Sequence, residues 1–256
     1  MMTGIAIPNF AAGSGRIDWA AVAHAFGGAG IIVIDEAFAG ADLEALRAEA
    51  NATMMQVDAA TALCDQKLDN PMLAAQRYVM GGRHRVRPAL CRIIAHTVLA
   101  QLCAVTLGKQ AFLFTEQFLI KGPQSEMDFN WHQDGAYMPV AHRPFLVVWI
   151  PLDDVDLASG TIRAIPFQRM PDTSLLPHRP SPSNGDLVGY HGLDCGDEVK
   201  CRAGSIVAFD SRLLHASDNN RSDRWRRVYQ IRYTSERISE LGPDVPLYFA
   251  KHVFAA

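Results

Sequence analysis

The sequence predicts a mainly β protein with flanking helices, an α+β arrangement in which N-terminal helices brace a β-sandwich or jelly roll. Two observations carry that expectation. Helical periodicity is confined to the stretch from Ile17 to about Leu107, and from Lys109 onward the chain turns to short runs rich in Val, Ile, Phe and Trp. Clusters of Gly, Pro, Asp and Ser punctuate those runs at intervals that suit antiparallel strands. No fixed-period repeat occurs, and no low-complexity tract beyond the small-residue patch Ala11–Gly15. The 256 residues are therefore expected to form a single domain over 1–256, helix-rich through 16–108 with its β core over 109–256.

Taken in order, DWAAVAHAF opens the helical part and a short apolar strand, IIVID at Ile31–Asp35, follows it. ADLEALRAEANATMM then places Leu43, Leu46, Ala50 and Met54 at helical spacing, with Asp42 as the expected cap. RPALCRIIAHTVLAQLCAV reads as one further helix, opened by Pro88, which a first turn tolerates, and closed before Gly108. Strands are expected at Ala111–Ile120, Phe145–Ile150, Gly160–Ile165, Ser205–Phe209 and Arg226–Thr234. The Pro/Ser/Gly-rich stretch Met170–Gly189 reads as a long loop, and a loop of that length in a compact domain usually covers a site.

Composition excludes several classes. Lys and Arg total 24 against 27 Asp and Glu, a formal charge of −3 that offers no broad basic field for a nucleic-acid backbone. The longest apolar runs, such as Phe145–Pro151, are far shorter than the roughly 20 residues a membrane-spanning helix needs. The N-terminal residues lack a cationic opening followed by an apolar run, so a cytoplasmic location is expected. Cys64, Cys91, Cys103, Cys195 and Cys201 are odd in number and scattered without a CxxC pair, and they read as free thiols. The oligomeric state is not legible.

The chemistry concentrates in FNWHQDGAYMP, Phe129–Pro139. His132 and Asp134 stand two apart at the edge of a strand-forming region, where side chains at i and i+2 share a face and can converge on one ion. His215, 83 residues further along and just past an apolar strand, offers a third ligand. Two imidazoles and one carboxylate on one face of an ion leave its other positions open, the arrangement of non-haem Fe(II) oxygenases. Arg226 opens the alternating run RVYQIRYT, and a guanidinium on a strand beside such a site suits the far carboxylate of a dicarboxylate such as 2-oxoglutarate.

With these residues in view, the sequence resembles the phytanoyl-CoA dioxygenase family of Fe(II)/2-oxoglutarate-dependent oxygenases. Four segments carry the resemblance: GAGIIVIDEAFAGADLEALRAE, EQFLIKGP with WHQDGAYMP, WIPLDDVDLASGTIRAIP, and AGSIVAFDSRLLHASDNNRSDRWRRVYQIRYT. The resemblance implies a double-stranded β-helix, the cupin-like jelly roll, and iron, 2-oxoglutarate and O2 as cofactor and cosubstrates. His132, Asp134 and His215 match the family's iron ligands, Arg226 the arginine on the cosubstrate's distal carboxylate, and Ser217 a hydroxyl beside it. Gln117 is similar in place to a glutamine near the cosubstrate's other end, and Trp149 either corresponds to an aromatic residue lining the pocket or reads as a core tryptophan on an apolar strand. The family often carries Pro-Gly-Ser-His after the strand that here reads SGTIRAIP, whereas this chain continues with Phe167, Gln168 and Arg169, which alters the edge of the pocket. Halogenating relatives replace the carboxylate with a small residue; Asp134 is retained, which disfavours halogenation.

The resemblance implies hydroxylation of an unactivated carbon of a small organic substrate in natural-product tailoring, with 2-oxoglutarate decarboxylated to succinate and CO2. Acyl-CoA substrates, and desaturation, cyclisation or epimerisation, are the family's other outcomes. Arg163, Arg169 and Arg227 read either as contacts for an anionic substrate group or as surface residues, with Arg227 pointing away from Arg226. His142, His178, His191 and Lys121 read as exposed or hydrogen-bonded, and Asn220 as a brace for the turn after His215. Two other classes compete: a cupin-like binding protein with a structural metal, which would show a damaged triad, and a zinc hydrolase, which lacks an HExxH sequence and leaves Arg226 unexplained.

Overall fold

Two larger β-sheets, a two-stranded pair and a layer of helices make up the computed structural model, which describes residues 7–12, 16–63, 77–126, 128–182, 185–238 and 251–255. In the larger sheet β1 (Asn9–Ala11) pairs β2 (Ile31–Asp35), followed across the sheet by β11 (Ile206–Asp210), β6 (Leu146–Pro151), β13 (Arg226–Thr234), β4 (Gln110–Lys121) and β14 (Lys251–Ala255). β3 (Arg77–Gly81) pairs β4 beside this path. Every pairing in that sheet is antiparallel except β1 with β2. The smaller sheet orders β10 (Asp197–Glu198), β7 (Ile162–Ile165), β12 (Leu214–Ser217) and β5 (Phe129–His132). Two facing sheets of this kind form a jelly roll.

Strand alternation divides the core in two. Val147 and Trp149 of β6, Val207 and Phe209 of β11 and Val228 of β13 meet Ile162 and Ala164 of β7 between the sheets. Their chain neighbours Leu146, Val148, Ile150, Tyr229 and Ile231 face the other way, toward Leu46, Leu90, Ile93 and Leu99 of the helices. β6 is buried on both faces, which is why its sequence is a continuous apolar run with no polar alternation.

The helices are α1 (Trp19–Ala29), α2 (Gly40–Leu63), α3 (Pro88–Ile94) and α4 (Thr97–Thr106). Asp18 caps α1 by accepting from the amides of Ala20 and Ala21, and Gly30 closes it at φ 70, a conformation glycine adopts without strain. Asp42 is not a cap: α2 begins at Gly40, which puts that carboxylate in the first turn, where it favours the positive end of the helix dipole. The single helix expected over 87–105 is two, bent by 45° at Ala95 and His96. His96 turns out of helical conformation, and its Nδ1 accepts from the amide of Val98 and starts a new helix. No single helix among the described residues is long and apolar enough to cross a membrane.

Three further expectations need correction. His215 does not follow the end of an apolar strand: β11 stops at Asp210, and His215 lies within the separate strand β12. The stretch Met170–Gly189 is not structureless, because β8 (Arg179–Pro180) and β9 (Leu187–Val188) pair as a short hairpin. β3 lies outside the strands expected from sequence. Among the described cysteines, Cys91, Cys103, Cys195 and Cys201 are all free thiols, and Cys64 lies outside the described residues.

Candidate metal centre

β5 and β12 are neighbours, and His132 stands directly opposite His215 in their register, so the two imidazoles lie side by side with ring centroids 4.2 Å apart. Gln133 continues the chain in extended conformation, φ −119 and ψ 129, which returns Asp134 to the face of His132. Asp134 then opens a 3-10 turn, Asp134–Tyr137. The Nε2 atoms of His132 and His215 lie 3.6 and 3.7 Å from Asp134 Oδ1, and all three residues are buried. Candidate ligand atoms of the three residues lie within 4.8 Å of one another.

The outward nitrogens are already committed. His132 Nδ1 lies 2.6 Å from the carbonyl of Asn130, and His215 Nδ1 lies 3.1 Å from that of Leu213. Donating to a carbonyl two residues back fixes each ring with a proton on Nδ1 and a lone pair on Nε2, the tautomer a metal requires. Burial, with His132 adding to it, lowers the pKa of His215 to about 4, so it is neutral at physiological pH. Burial alone would raise the carboxyl of Asp134, but Arg232 and the two imidazoles outweigh it and hold the group well below the usual carboxylate range. Two imidazole Nε2 atoms whose Nδ1 partners are backbone carbonyls, with a carboxylate between them, open on the cleft side, fit a divalent transition-metal ion.

β13 builds the wall beside this centre. Arg226, Gln230 and Arg232 are an even number of residues apart and project to the same side, into the cleft. Arg232 Nε donates to Asp134 Oδ2 at 3.1 Å and Gln230 Nε2 reaches the same oxygen at 3.5 Å, which leaves Oδ1 as the oxygen beside the imidazoles. Gln117 on β4 donates to Gln230 Oε1 at 2.7 Å, so it stands in the cleft and bears on Asp134 through Gln230. Arg226, 2% exposed, lies with its guanidinium 5.7 Å from the Trp149 ring, and buried Ser217 lines the same cleft. Together these residues line a cleft of about 320 Å³. The seven residues expected from sequence at the metal and the cosubstrate, His132, Asp134, His215, Arg226, Ser217, Gln117 and Trp149, all border that one space.

Other residues are brought elsewhere. Arg163 pairs Asp218 at 2.9 Å, Arg169 pairs Asp197 at 2.9 Å and Asp194 at 3.2 Å, and Arg227 pairs Asp153 at 2.6 Å on the opposite face from Arg226. Asn220 braces the turn after His215, donating to the carbonyls of Gly122 and Arg224. Gln133 fastens the segment 174–178 and the turn at Arg212. Its Nε2 donates to Ser174 and Arg212 carbonyls, its Oε1 accepts from Leu176 N, and its amide N–H donates to His178 Nε2. Tyr137 stacks edge-on against His132, and its hydroxyl accepts from the amide of Leu187. Sequence reasoning missed Gln230, Arg232 and Tyr137; the even spacing from Arg226 was the available signal for the first two.

The phytanoyl-CoA dioxygenase (PhyH) family model matches residues 26–228, about four-fifths of the chain. The chain belongs to the phytanoyl-CoA dioxygenase family. A phytanoyl-CoA dioxygenase of Arabidopsis thaliana is 24% identical over 177 residues, 65% of this chain and 60% of that protein. The chain thus spans about three-fifths of that relative's length, and less of others. Among solved structures, the non-heme monooxygenase ThoJ superposes with a TM-score of 0.70 at 21% identity, covering 92% of this chain and 84% of its own. The epimerase SnoN, in complex with Fe3+, alpha ketoglutarate and nogalamycin RO, superposes at 0.64 with 15% identity, covering 93% and 95%. At such identities the likeness fixes the fold of this phytanoyl-CoA dioxygenase family member as a jelly roll.

Proposed function

We propose that the protein is a non-haem Fe(II)/2-oxoglutarate-dependent dioxygenase that hydroxylates an unactivated carbon of a small organic substrate, in the manner of natural-product tailoring enzymes. The observation that carries this reading is the joint placement of a buried His132–Asp134–His215 triad and the buried guanidinium of Arg226 on one cleft. A binding protein with a structural metal needs no arginine there, and a zinc hydrolase gives it no task. Family membership supports the same chemistry, and SnoN supports a tailoring role. The ion pairs of Arg163, Arg169 and Arg227 also favour a small substrate over an acyl-CoA, since each candidate contact for a phosphate already has a carboxylate partner.

Iron with bound 2-oxoglutarate supplies the oxidising chemistry, in which O2 is consumed and the cosubstrate is decarboxylated to succinate and CO2. The chain's own residues bind and orient. His132, Asp134 and His215 hold the metal, with Oδ2 of Asp134 kept by Arg232 so that the carboxylate presents one oxygen. Arg226 holds the distal carboxylate of the cosubstrate with Ser217 beside it. Trp149 and Leu119 close the apolar side of that end. The reading includes a single domain over 1–256, a cytoplasmic location, and no nucleic-acid or membrane partner.

The test is an anaerobic titration of metal-free protein with Fe(II) and 2-oxoglutarate, watching for the visible metal-to-ligand charge-transfer band, with His132→Ala in parallel. The band is expected in the parent and not in the variant. Arg226→Ala is expected to raise the 2-oxoglutarate requirement far more than the iron requirement. Absence of the band in the parent at saturating cosubstrate overturns the oxygenase reading. Product analysis with a screened substrate separates hydroxylation from desaturation, cyclisation and epimerisation.

A further inference from the structure

Lys121 ends β4, and nothing in its sequence context separates it from a surface lysine. The structure buries it to 1% exposure. Along β4, Gln117, Leu119 and Lys121 alternate onto the face that looks between the sheets, and Gln117 and Leu119 line the cleft itself. Lys121 also stands directly opposite Arg226 in the β4–β13 register, so the two cations project from neighbouring strands to the same side. Its Nζ donates to Ser217 Oγ at 2.8 Å and to the Asp218 carbonyl at 2.6 Å, and lies 5.4 Å from the face of Phe129.

That first hydrogen bond has a directional consequence. A hydroxyl has one proton and two lone pairs, and an ammonium can only donate. With Lys121 on one lone pair of Ser217 Oγ, the Ser217 proton is turned away from the ammonium. Ser217 and Arg226 line the same cleft, and Lys121 links them, opposite Arg226 in register and bonded to Ser217, so an anion held by the guanidinium is the acceptor proposed for the Ser217 proton. A serine left to itself spends part of its time with the hydroxyl rotated elsewhere. We propose that Lys121 is the positioning residue of the carboxylate clamp, orienting Ser217 as a donor and adding a second buried positive charge behind Arg226. The strength of the clamp on a distal carboxylate then depends on Lys121. This inference rests on the oxygenase reading above and adds to it a residue.

The experiment compares binding of two oxo acids to the anaerobic Fe(II)-loaded protein by calorimetry: 2-oxoglutarate, and 2-oxobutyrate, which chelates alike but has no distal carboxylate. Lys121→Met is expected to weaken 2-oxoglutarate by roughly 30-fold, the scale of one hydrogen bond involving a charged group, and to leave 2-oxobutyrate and metal affinity unchanged. Ser217→Ala is expected to show the same selective loss, and Lys121→Met in the Ser217→Ala background to cost clearly less than in the parent, because the two act as one unit. Should Lys121→Met not fold, Lys121→Gln, which keeps an N–H for Ser217 and removes the charge, is expected to give a smaller but still selective loss. Equal weakening of both oxo acids, unchanged 2-oxoglutarate affinity, or full additivity with Ser217→Ala overturns the proposal while leaving the oxygenase reading intact. Failure of the parent to bind 2-oxoglutarate at all overturns both.

Discussion

Replacing Arg232 with Met removes the counter-charge from a buried carboxylate while keeping a side chain of similar length. In the parent, Arg232 Nε lies 3.1 Å from Asp134 Oδ2, and the two side chains are 19% and 3% exposed. Charges about 4 Å apart at an effective dielectric constant of about 20 attract by about 4 kcal/mol. The loss in the metal-free variant is smaller than that, because burial raises the Asp134 carboxyl once the guanidinium is gone and protonation limits the cost. About 3 kcal/mol is expected for the metal-free protein at neutral pH. A divalent ion bound at Oδ1 supplies the missing positive charge and no longer has Arg232 as a repelling neighbour, so the metal-loaded variant should lose much less. Urea unfolding of parent and variant, with and without saturating Mn(II), measures both quantities. The expected result is a larger metal-dependent stabilisation in Arg232→Met than in the parent. An equal loss of stability with and without metal would refute the reasoning, because it would make the arginine a packing residue with no charge relation to the site.

Two further outcomes are expected. Gln133→Leu should leave the loop acceptors Ser174 O and the donor Leu176 N without their buried partner, and limited proteolysis should then cut faster within 170–190; an unchanged cleavage rate would show that the fastening lies elsewhere. Burial lowers the pKa of His215 to about 4 from 6.5, so the unfolded chain takes up this proton first as pH falls. The metal-free protein should keep its full stability from this group above pH 6.5 and lose about 3 kcal/mol as pH falls toward about 4, measured by urea unfolding, and His215→Gln should remove that slope.

Where an element is set by one local pattern, sequence and structure agree closely. Ile31–Asp35 and Arg226–Thr234 are strands to the residue, the first an apolar run that follows Gly30 and the second an alternating run that stops before Ser235. The run 87–105 misled because its apolar spacing continues through His96, while the capping bond that starts a second helix there depends on one ring orientation. β3 and β12 are short, and their stability comes from the strands they pair with, a quantity absent from their own composition.

The candidate site divides in the same way. From the sequence alone, the order of helices then strands pointed to a β-sandwich or jelly roll, the i and i+2 spacing put His132 and Asp134 on one face, and alternation put Arg226 on a strand, each from periodicity within one segment, whereas His215 beside His132 is a matter of register between β12 and β5. Only the tertiary structure decided that Arg232 holds Asp134 from 98 residues away, and that Lys121 holds Ser217 from 96 residues away. It also decided that Arg163, Arg169 and Arg227 are occupied by carboxylates. A strand's period of two fixes which face a side chain takes, but strand register across a sheet fixes what stands opposite, and register is set by packing of the whole core.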